Sequence, residues 1–246
     1  MTTKEQIILY AKRYNTPLFI AQDPIRFAHR YKKKTDIEIS AFISAWLAYG
    51  NRTSFLQVLE TLHREMVPSP TSYILDQSFR GFKDDHSPLY RFYKRHDFYE
   101  LCLRLYDIYI QSDDMEHDIS KTIKEKEFND VLRYFNERFA DVKGIPKDGK
   151  SACKRLCMLL RWMIRHDGIV DLGIWTILQP SQLIIPLDTH VFQTAQRLEI
   201  VNRRSADMVA AVEITNYLRR IFPCDPSLGD FALYGFGIDK AKKETV

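Results

Sequence analysis

The sequence predicts an all-α fold, and three observations carry this prediction. Segments with apolar residues at helical spacing follow one another along most of the 246 residues. No stretch shows a convincing alternation of apolar and polar residues, which would be typical of strands. Nine glycines are few for a β-rich chain, which needs glycine at many turns. Hydrophobic residues make up 45% of the chain, enough for one large domain or two smaller ones with their own cores.

The first 80 residues are predicted to form five helices, whose ends are set by prolines and capping residues. The third helix is apolar on nearly every side, which predicts that it is buried. A basic turn, Lys32-Lys33-Lys34, precedes it. The predicted helices cover residues 3–14, 24–31, 36–49 with Thr35 as the cap, 53–67 and 71–79.

The remainder of the chain alternates predicted helices with loops of distinctive composition. The segment 80–97 is aromatic and basic, 113–118 is an acidic loop, and 142–149 reads as a turn-rich hairpin. Helices are predicted over residues 97–112, 119–124, 127–140, 151–166, 206–221 and from Asp225 to about Gly237, with one more opening at Asp188.

Asp188 follows an apolar run that ends in Pro186, and an amphipathic helix starts immediately after it. This pattern is typical of a helix N-cap, where a carboxylate accepts hydrogen bonds from the free N–H groups of the first turn. Such a carboxylate is held in place and stays ionised. The local pattern alone favours a purely structural cap.

Basic residues are concentrated between residues 143 and 165, where Asp148 is the one carboxylate that opposes them. A locally basic surface favours a polyanionic partner such as nucleic acid. The alternative is an ordinary solvated helix face. The basic residues of this run are Lys143, Lys147, Lys150, Lys154, Arg155, Arg161 and Arg165.

Composition also bounds the environment of the chain. No apolar run reaches the about 18 residues of a membrane helix, and the N-terminus does not resemble a signal peptide. We therefore expect a cytoplasmic protein that does not associate with membranes. The spacing of the four cysteines, Cys102, Cys153, Cys157 and Cys224, indicates reduced thiols rather than a disulfide framework.

Three stretches together resemble the helix-hairpin-helix base-excision DNA glycosylases. They are the helix that ends in Ala48-Tyr49-Gly50-Asn51-Arg52, the segment from Gly144 to Arg155, and Pro186-Leu187-Asp188-Thr189-His190-Val191 with the later pair Arg197-Leu198. The resemblance covers roughly residues 37–238 in order and is strongest at 183–200. It implies a two-lobed helical fold with a central cleft that holds double-stranded DNA.

A narrower similarity rests on Ser151-Ala152-Cys153-Lys154-Arg155-Leu156, Leu160-Arg161-Trp162-Met163 and Asp171-Leu172-Gly173-Ile174-Trp175. These short motifs resemble those of a bacterial family of unknown function within the same superfamily. The pattern is also similar to archaeal 8-oxoguanine DNA glycosylases, which have a long insert between lysine and aspartate. This similarity suggests an oxidised base as the substrate.

The resemblance implies a division into lobes and a pair of catalytic residues. One lobe would span 36–166 and end in the hairpin and the lysine helix. The other would combine 1–35 with 167–246 and carry the Asp188 helix. Asp188 would stabilise positive charge on the sugar or accept a proton, and a lysine would attack the sugar C1′. A monomer is expected.

Two lysines compete for the role of nucleophile. Gly149-Lys150-Ser151-Ala152 is similar to the family word Gly-x-Lys-Thr-Ala, which favours Lys150. Lys154, predicted one helical turn further along, matches the narrower family and the archaeal pattern better, and we favour it. Either lysine could instead be a solvated residue that contacts a phosphate.

Other residues are expected to bind DNA. Gly144 and Gly149 would belong to a phosphate-binding hairpin, although Pro146 removes one backbone donor from it. Asn51 and Arg52 occupy the place of groups that enter the gap left by an extruded base or touch that base, but for Asn51 a helix C-cap formed with Gly50 is the favoured interpretation. The basic residues Lys150, Arg155 and Arg161 complete the predicted surface.

The sequence thus predicts excision of a damaged base from double-stranded DNA, with possible β-lyase activity. A non-catalytic nucleic-acid-binding protein with the same fold is the main alternative, and a helical scaffold is a weaker one. No metal or other cofactor is expected. Some glycosylases carry a C-terminal iron–sulfur loop with four cysteines, but here Cys224 stands alone in that region.

Overall fold

The computed structural model describes residues 2–146 and 151–244, and within them the fold is mostly helical with one small sheet. The predicted all-α class is therefore confirmed. In chain order the elements are α1 (Thr3–Tyr14), α2 (Pro17–Gln22), α3 (Lys34–Leu47), α4 (Arg52–Glu65), α5 (Pro70–Leu75), β1 (Pro88–Tyr90), β2 (Tyr93–Lys94), α6 (Arg95–Tyr109), α7 (Met115–Thr122), α8 (Phe128–Arg138), α9 (Lys154–Ile164), α10 (Thr189–Arg197), α11 (Met208–Arg219) and α12 (Leu228–Glu244), with 3-10 helices at Pro24–Arg30, Ser78–Phe82 and Pro180–Gln182.

The chain forms two compact units. The central unit is Asp23–Lys147, and the terminal unit combines Met1–Gln22 with Asp148–Val246. These boundaries differ from the predicted ones at 35/36 and 166/167. The first boundary differs because the 3-10 helix Pro24–Arg30 packs against α3 of the central unit. The second differs because Arg161 of α9 and Arg165, directly after it, form buried ion pairs with carboxylates of the terminal unit.

Helix α3 is the core of the central unit, and from Thr35 to Leu47 every residue is buried. Several of its buried polar side chains are hydrogen-bonded internally, whereas the Ser44 hydroxyl has no partner among the described residues. The Glu38 carboxylate accepts hydrogen bonds from the Tyr109 hydroxyl (2.9 Å) and from the Met115 N–H (3.0 Å). The predicted buried helix is therefore present.

The start of α3 differs from the prediction that Thr35 caps it. The helix begins at Lys34, and the N-cap position belongs to Lys33. Thr35 is buried, and its hydroxyl lies 2.7 Å from the Thr71 hydroxyl at the start of α5. Its side chain therefore joins two helices instead of capping one.

A two-stranded antiparallel hairpin, β1–β2, lies within the aromatic and basic segment and was not predicted. Its strands are two and three residues long, too short to show a clear alternation. Its turn residues, Arg91 and Phe92, lack the Asn-Gly signature of tight hairpins. Nevertheless Tyr90 and Tyr93 are buried, whereas the two turn residues are exposed.

The predicted acidic loop is shorter than expected, because α7 begins inside it. Asp114 is the N-cap of α7 and accepts a hydrogen bond from the His117 N–H at 2.8 Å. At the other end of the chain, α12 continues past the expected stop at Gly237.

In the terminal unit, α12 packs against α1 and α10. The rings of Tyr10 and Phe236 stack with centroids 3.9 Å apart, and the Tyr14 hydroxyl donates to Asp239 at 2.5 Å. Gly235 faces the Tyr14 ring so closely that a Cβ there would lie 2.2 Å from a ring carbon. These contacts join the first helix of the chain to the last.

No helix among the described residues has the length and apolarity needed to cross a membrane. The four cysteines all lie in the described part of the chain and are free thiols. Trp162 and Trp175 are fully buried in the terminal unit, as core residues.

Candidate active site

Asp188 is the N-cap of α10, as predicted. Its backbone is extended, and its Oδ1 accepts a hydrogen bond from the Val191 N–H at 2.8 Å. The preceding residues Ile185 and Leu187 are buried, and the Ile185 N–H donates to the Thr215 hydroxyl at 3.2 Å. The apolar run therefore fixes the backbone from which the carboxylate projects.

Lys154 is the first residue of α9, so the predicted helix start at Ser151 is three residues too early. Cys153, just before it, has a φ of +48°, a conformation that non-glycine residues rarely adopt. The Cys153 N–H donates to the Ser151 hydroxyl at 3.2 Å, and Ser151 forms an isolated β-bridge with Asp207. These contacts hold the turn that delivers Lys154.

The ammonium of Lys154 and the carboxylate of Asp188 form an ion pair, with Nζ 3.4 Å from Oδ2. The two residues are 34 positions apart in sequence, and both belong to the terminal unit. About a third of each side chain is exposed, 35% for Lys154 and 31% for Asp188. The pair is therefore fixed in place but open to solvent and to a ligand.

The helix termini impose opposite electrostatics on the two partners. The N-terminus of α10 carries partial positive charge and favours the Asp188 carboxylate. The N-terminus of α9 carries the same sign and opposes an ammonium on Lys154. Asp188 thus supplies the compensating charge for a lysine placed at the unfavourable end of its own helix. Of the two oxygens of the Asp188 carboxylate, Oδ1 caps α10 and Oδ2 faces Lys154.

Asp230, on α12, is a buried carboxylate in electrostatic contact with this pair. Burial raises its pKa to about 6; Arg161 opposes this rise, the charge of Asp188 adds to it and that of Lys154 lowers it. Its Oδ2 accepts a hydrogen bond from Arg161 at 2.6 Å, whereas its buried Oδ1 has no partner among the described residues. Sequence reasoning missed Asp230, although an aspartate directly before the apolar run 231–234 is a usable signal.

Arg161 does not lie on the surface, contrary to its predicted role in DNA binding. Its side chain is 3% exposed, donates to Asp171 and Asp230, and covers the face of the Phe231 ring. A guanidinium paired and buried in this way cannot reach a phosphate. The correction follows from α9 being apolar around its whole circumference, so that position 161 faces the interior.

Arg165 is buried in the same cluster, with 2% of its side chain exposed. It forms ion pairs with Asp167 (2.7 Å), Asp171 (2.9 Å) and Asp225 (2.7 Å). Burial raises the pKa of Asp171, and the neighbouring arginines counteract that rise. The basic run of the sequence is thus partly a buried structural network.

Arg155 follows Lys154 in the first turn of α9 and is half-buried. The alternative nucleophile Lys150 and the hairpin residue Gly149 lie outside the described residues. Their predicted roles stay predictions. The structure places Lys154 beside Asp188.

Asn51 and Arg52 lie in the central unit, at the junction of α3 and α4. Asn51 is the N-cap of α4, accepting a hydrogen bond from the Ser54 N–H at 3.0 Å, rather than a C-cap of α3. Gly50, with a φ of +75°, makes the turn between the helices. Both Asn51 and Arg52 are exposed, which leaves the predicted DNA contact open to them.

Gly144 has a φ of +89° and lies against Tyr93, whose hydroxyl would be 1.8 Å from a Cβ at this position. Glycine is therefore required here by packing within the central unit. Contact with a phosphate remains a prediction for Gly144. Among residues 2–146 and 151–244, no three His, Cys, Asp or Glu side chains are grouped as metal ligands.

The family model for a protein of unknown function, DUF2400, matches residues 23–239. The chain belongs to this family. The match includes both members of the Lys154–Asp188 pair and the buried Asp230. No curated protein and no solved structure matched the chain.

Proposed function

We propose that this member of the DUF2400 family is a DNA glycosylase with β-lyase activity that removes a damaged base from double-stranded DNA. One observation carries the proposal: a lysine amine and a capping carboxylate, remote in sequence, meet at 3.4 Å in an accessible position. Such a pair supplies the nucleophile and the proton acceptor that glycosidic bond cleavage by an amine needs.

Lys154 is the proposed nucleophile. After losing a proton, its amine attacks the sugar C1′, the C1′–N bond breaks, and the bonding electrons leave with the base, which takes up a proton. Opening of the sugar ring gives a Schiff base. Loss of a C2′ proton then expels the 3′ phosphate and nicks the strand. The position of Lys154 at the accessible start of α9, within reach of the Asp188 carboxylate, supports this role.

Asp188 is the proposed partner for charge and proton. Its Oδ2 lies close enough to Nζ to accept the proton, directly or through one water. After passing this proton to the departing base, Asp188 is again a carboxylate and stabilises the positive charge at C1′. Its hydrogen bond to the Val191 N–H keeps it oriented throughout.

The finer fold assignment belongs to the same proposal. We infer a two-lobed helix-hairpin-helix fold, acting as a monomer in the cytoplasm, with Asn51, Arg52 and Arg155 contacting DNA. The mostly helical fold and the division into two compact units support it. A duplex-bound enzyme brings the target base into its site by base flipping. The extruded base would be recognised there.

The test is an excision and nicking assay on labelled duplexes that each carry one lesion, with oxidised, alkylated and deaminated bases and an abasic site. The full chain should cleave at least one of them. Lys154→Gln should abolish nicking, and Asp188→Asn should slow it by about 10²–10⁴-fold. Lys150→Gln tests the alternative nucleophile and should still nick the strand.

Two outcomes would redirect the proposal. Nicking lost in Lys150→Gln but kept in Lys154→Gln would assign the nucleophile to the other lysine. Salt-sensitive duplex binding with no cleavage of any substrate would favour a non-catalytic nucleic-acid-binding protein.

A further inference from the structure

The β1–β2 hairpin of the central unit presents an aromatic ring to solvent on a fixed support. Phe92, at its turn, is 71% exposed. Single exposed apolar residues are common on protein surfaces, so exposure alone argues little. The contacts that hold the hairpin and the charges around its tip indicate a role for the ring.

Three tyrosines anchor the hairpin from below. The Tyr90 hydroxyl donates to the Tyr49 carbonyl at 2.7 Å, and the Tyr49 hydroxyl donates to the Tyr90 carbonyl at 3.3 Å. The Phe92 N–H donates to the Tyr49 hydroxyl at 3.4 Å, and the Tyr93 ring stacks on Trp46 with centroids 4.1 Å apart. The exposed ring therefore stands on a rigid, buried aromatic base.

Cations surround the tip. The Arg91 guanidinium lies 5.7 Å from the centroid of the Phe92 ring, and the Lys143 ammonium donates to the Phe92 carbonyl. Lys94, on β2, is exposed as well. The carboxylate on this side, Asp97, is already engaged by the Lys94 N–H at 2.7 Å and by Lys143 at 3.2 Å. The tip is thus an exposed aromatic ring within a basic rim.

The tip also lies over the junction that holds Asn51 and Arg52. The Tyr90 hydroxyl reaches the Asn51 carbonyl at 3.4 Å. A Cβ at Gly50 would lie 2.5 Å from an Arg91 nitrogen, so the hairpin and the α3–α4 turn are in close contact. Hairpin and turn therefore present one continuous surface.

We propose that the hairpin tip inserts into duplex DNA, the Phe92 ring stacking at an opened base step while Arg91 and its cationic neighbours contact the flanking phosphates. Aromatic and apolar side chains wedged between base pairs are a common means of opening and bending a duplex. The inference rests on the proposed function, because it names the element that opens the duplex for base extrusion. It assigns that role to a hairpin within the aromatic and basic segment 80–97.

The experiment measures binding, not chemistry. The probe is a short duplex with a stable abasic-site analogue and 2-aminopurine as the adjoining base, whose fluorescence rises when it unstacks. The full chain should bind it and raise the fluorescence. Phe92→Ala should lose the rise and weaken binding by about 5- to 150-fold, the range for one stacked base. Phe92→Trp should keep both.

Two further variants separate stacking from charge and from general surface effects. Arg91→Gln should weaken binding and reduce the slope of log affinity against log salt by about 1. Val67→Ala, in the same unit and equally exposed at 71%, should behave as wild type. Thermal unfolding of each variant checks that the fold is kept.

The outcomes distinguish this inference from the proposed function. Unchanged affinity and fluorescence in Phe92→Ala overturn the hairpin inference and leave the glycosylase proposal standing. A Phe92→Ala defect confined to single strands overturns the insertion into a duplex. Loss of both signals in Phe92→Ala supports the inference even if no lesion is ever excised. A wild-type chain that binds no duplex overturns both.

Discussion

The two ends of helix α9 carry basic side chains in opposite settings. At the first residue, Lys154 pairs with Asp188 and is about one-third exposed. Two and three turns later, Arg161 and Arg165 are almost completely buried among carboxylates of the terminal unit. One run of basic residues in the sequence therefore divides into an accessible pair and an interior network.

The difference distinguishes the basic residue of this helix that is available for catalysis from those that belong to the protein interior. Removing a buried arginine with several partners destabilises the fold because it leaves unpaired buried charges. An exposed pair contributes little to stability, since water and salt screen it. The accessible end can therefore lose its charges without unfolding, which is the condition for a site that serves catalysis.

The largest effect is expected at the buried end. Arg165→Gln leaves the Asp225 carboxylate without its cation and Asp171 with Arg161 alone, and should lower the free energy of unfolding by about 3–5 kcal/mol. Urea denaturation measures the change. A loss below about 1 kcal/mol would show that the two ends do not differ in the way described.

The next effect is a pH dependence carried by Asp230. Its pKa is about 6 in the folded chain, raised by burial, against 3.8 for the ordinary side chain. Between these values the unfolded chain is ionised at this residue and the folded chain is not. The contribution of protonated Asp230 to the free energy of unfolding is therefore complete below about pH 4 and is lost as the pH rises through about 6.

Asp230→Asn tests this dependence because the amide mimics the protonated acid. Between pH 4 and pH 7 the free energy of unfolding of the parent chain should fall by about 2–3 kcal/mol more than that of the variant. Equal stabilities at pH 4 serve as the packing control. Parallel pH profiles for the two chains would contradict the assignment.

A smaller effect is expected at Asp188, where cap and charge can be separated. Asp188→Ala removes the hydrogen bond to Val191 and should cost about 1–2 kcal/mol. Asp188→Asn keeps a capping oxygen and should cost clearly less, while still removing the charge opposite Lys154. Thermal and urea unfolding of both variants measure the difference; equal losses would mean that the ion pair, not the cap, dominates.

The smallest change in stability is expected for Lys154→Gln. Removing one partner of an exposed pair should change the free energy of unfolding by less than about 1 kcal/mol. A loss comparable to that of Arg165→Gln would make Lys154 a structural residue and remove the reason to separate the two ends of α9.

The sequence sufficed for features that depend on neighbouring residues. The N-cap at Asp188 follows from a proline, an aspartate and an amphipathic run, and the buried helix α3 follows from its uninterrupted apolar residues. Cap geometry and burial on all sides are local properties. Both were predictable for that reason.

Features that depend on residues far apart in the sequence were harder to predict. Arg161 was assigned to a basic surface because Asp171 and Asp230, which neutralise it, lie 10 and 69 residues away. A signal did exist: residues 156–164 are otherwise apolar on all faces of the helix, so an arginine among them had to be buried and paired. The short β1–β2 hairpin gave no comparable signal.

The central claim is that Lys154 is the amine that attacks the sugar, and borohydride trapping tests it most directly. The full chain would be incubated with an abasic-site duplex and borohydride, and the cross-linked peptide identified by mass spectrometry. We predict that the DNA adduct maps to Lys154, that Lys154→Gln abolishes it, and that Lys150→Gln retains it. An adduct on Lys150 or elsewhere, or undiminished trapping by Lys154→Gln, would contradict the account.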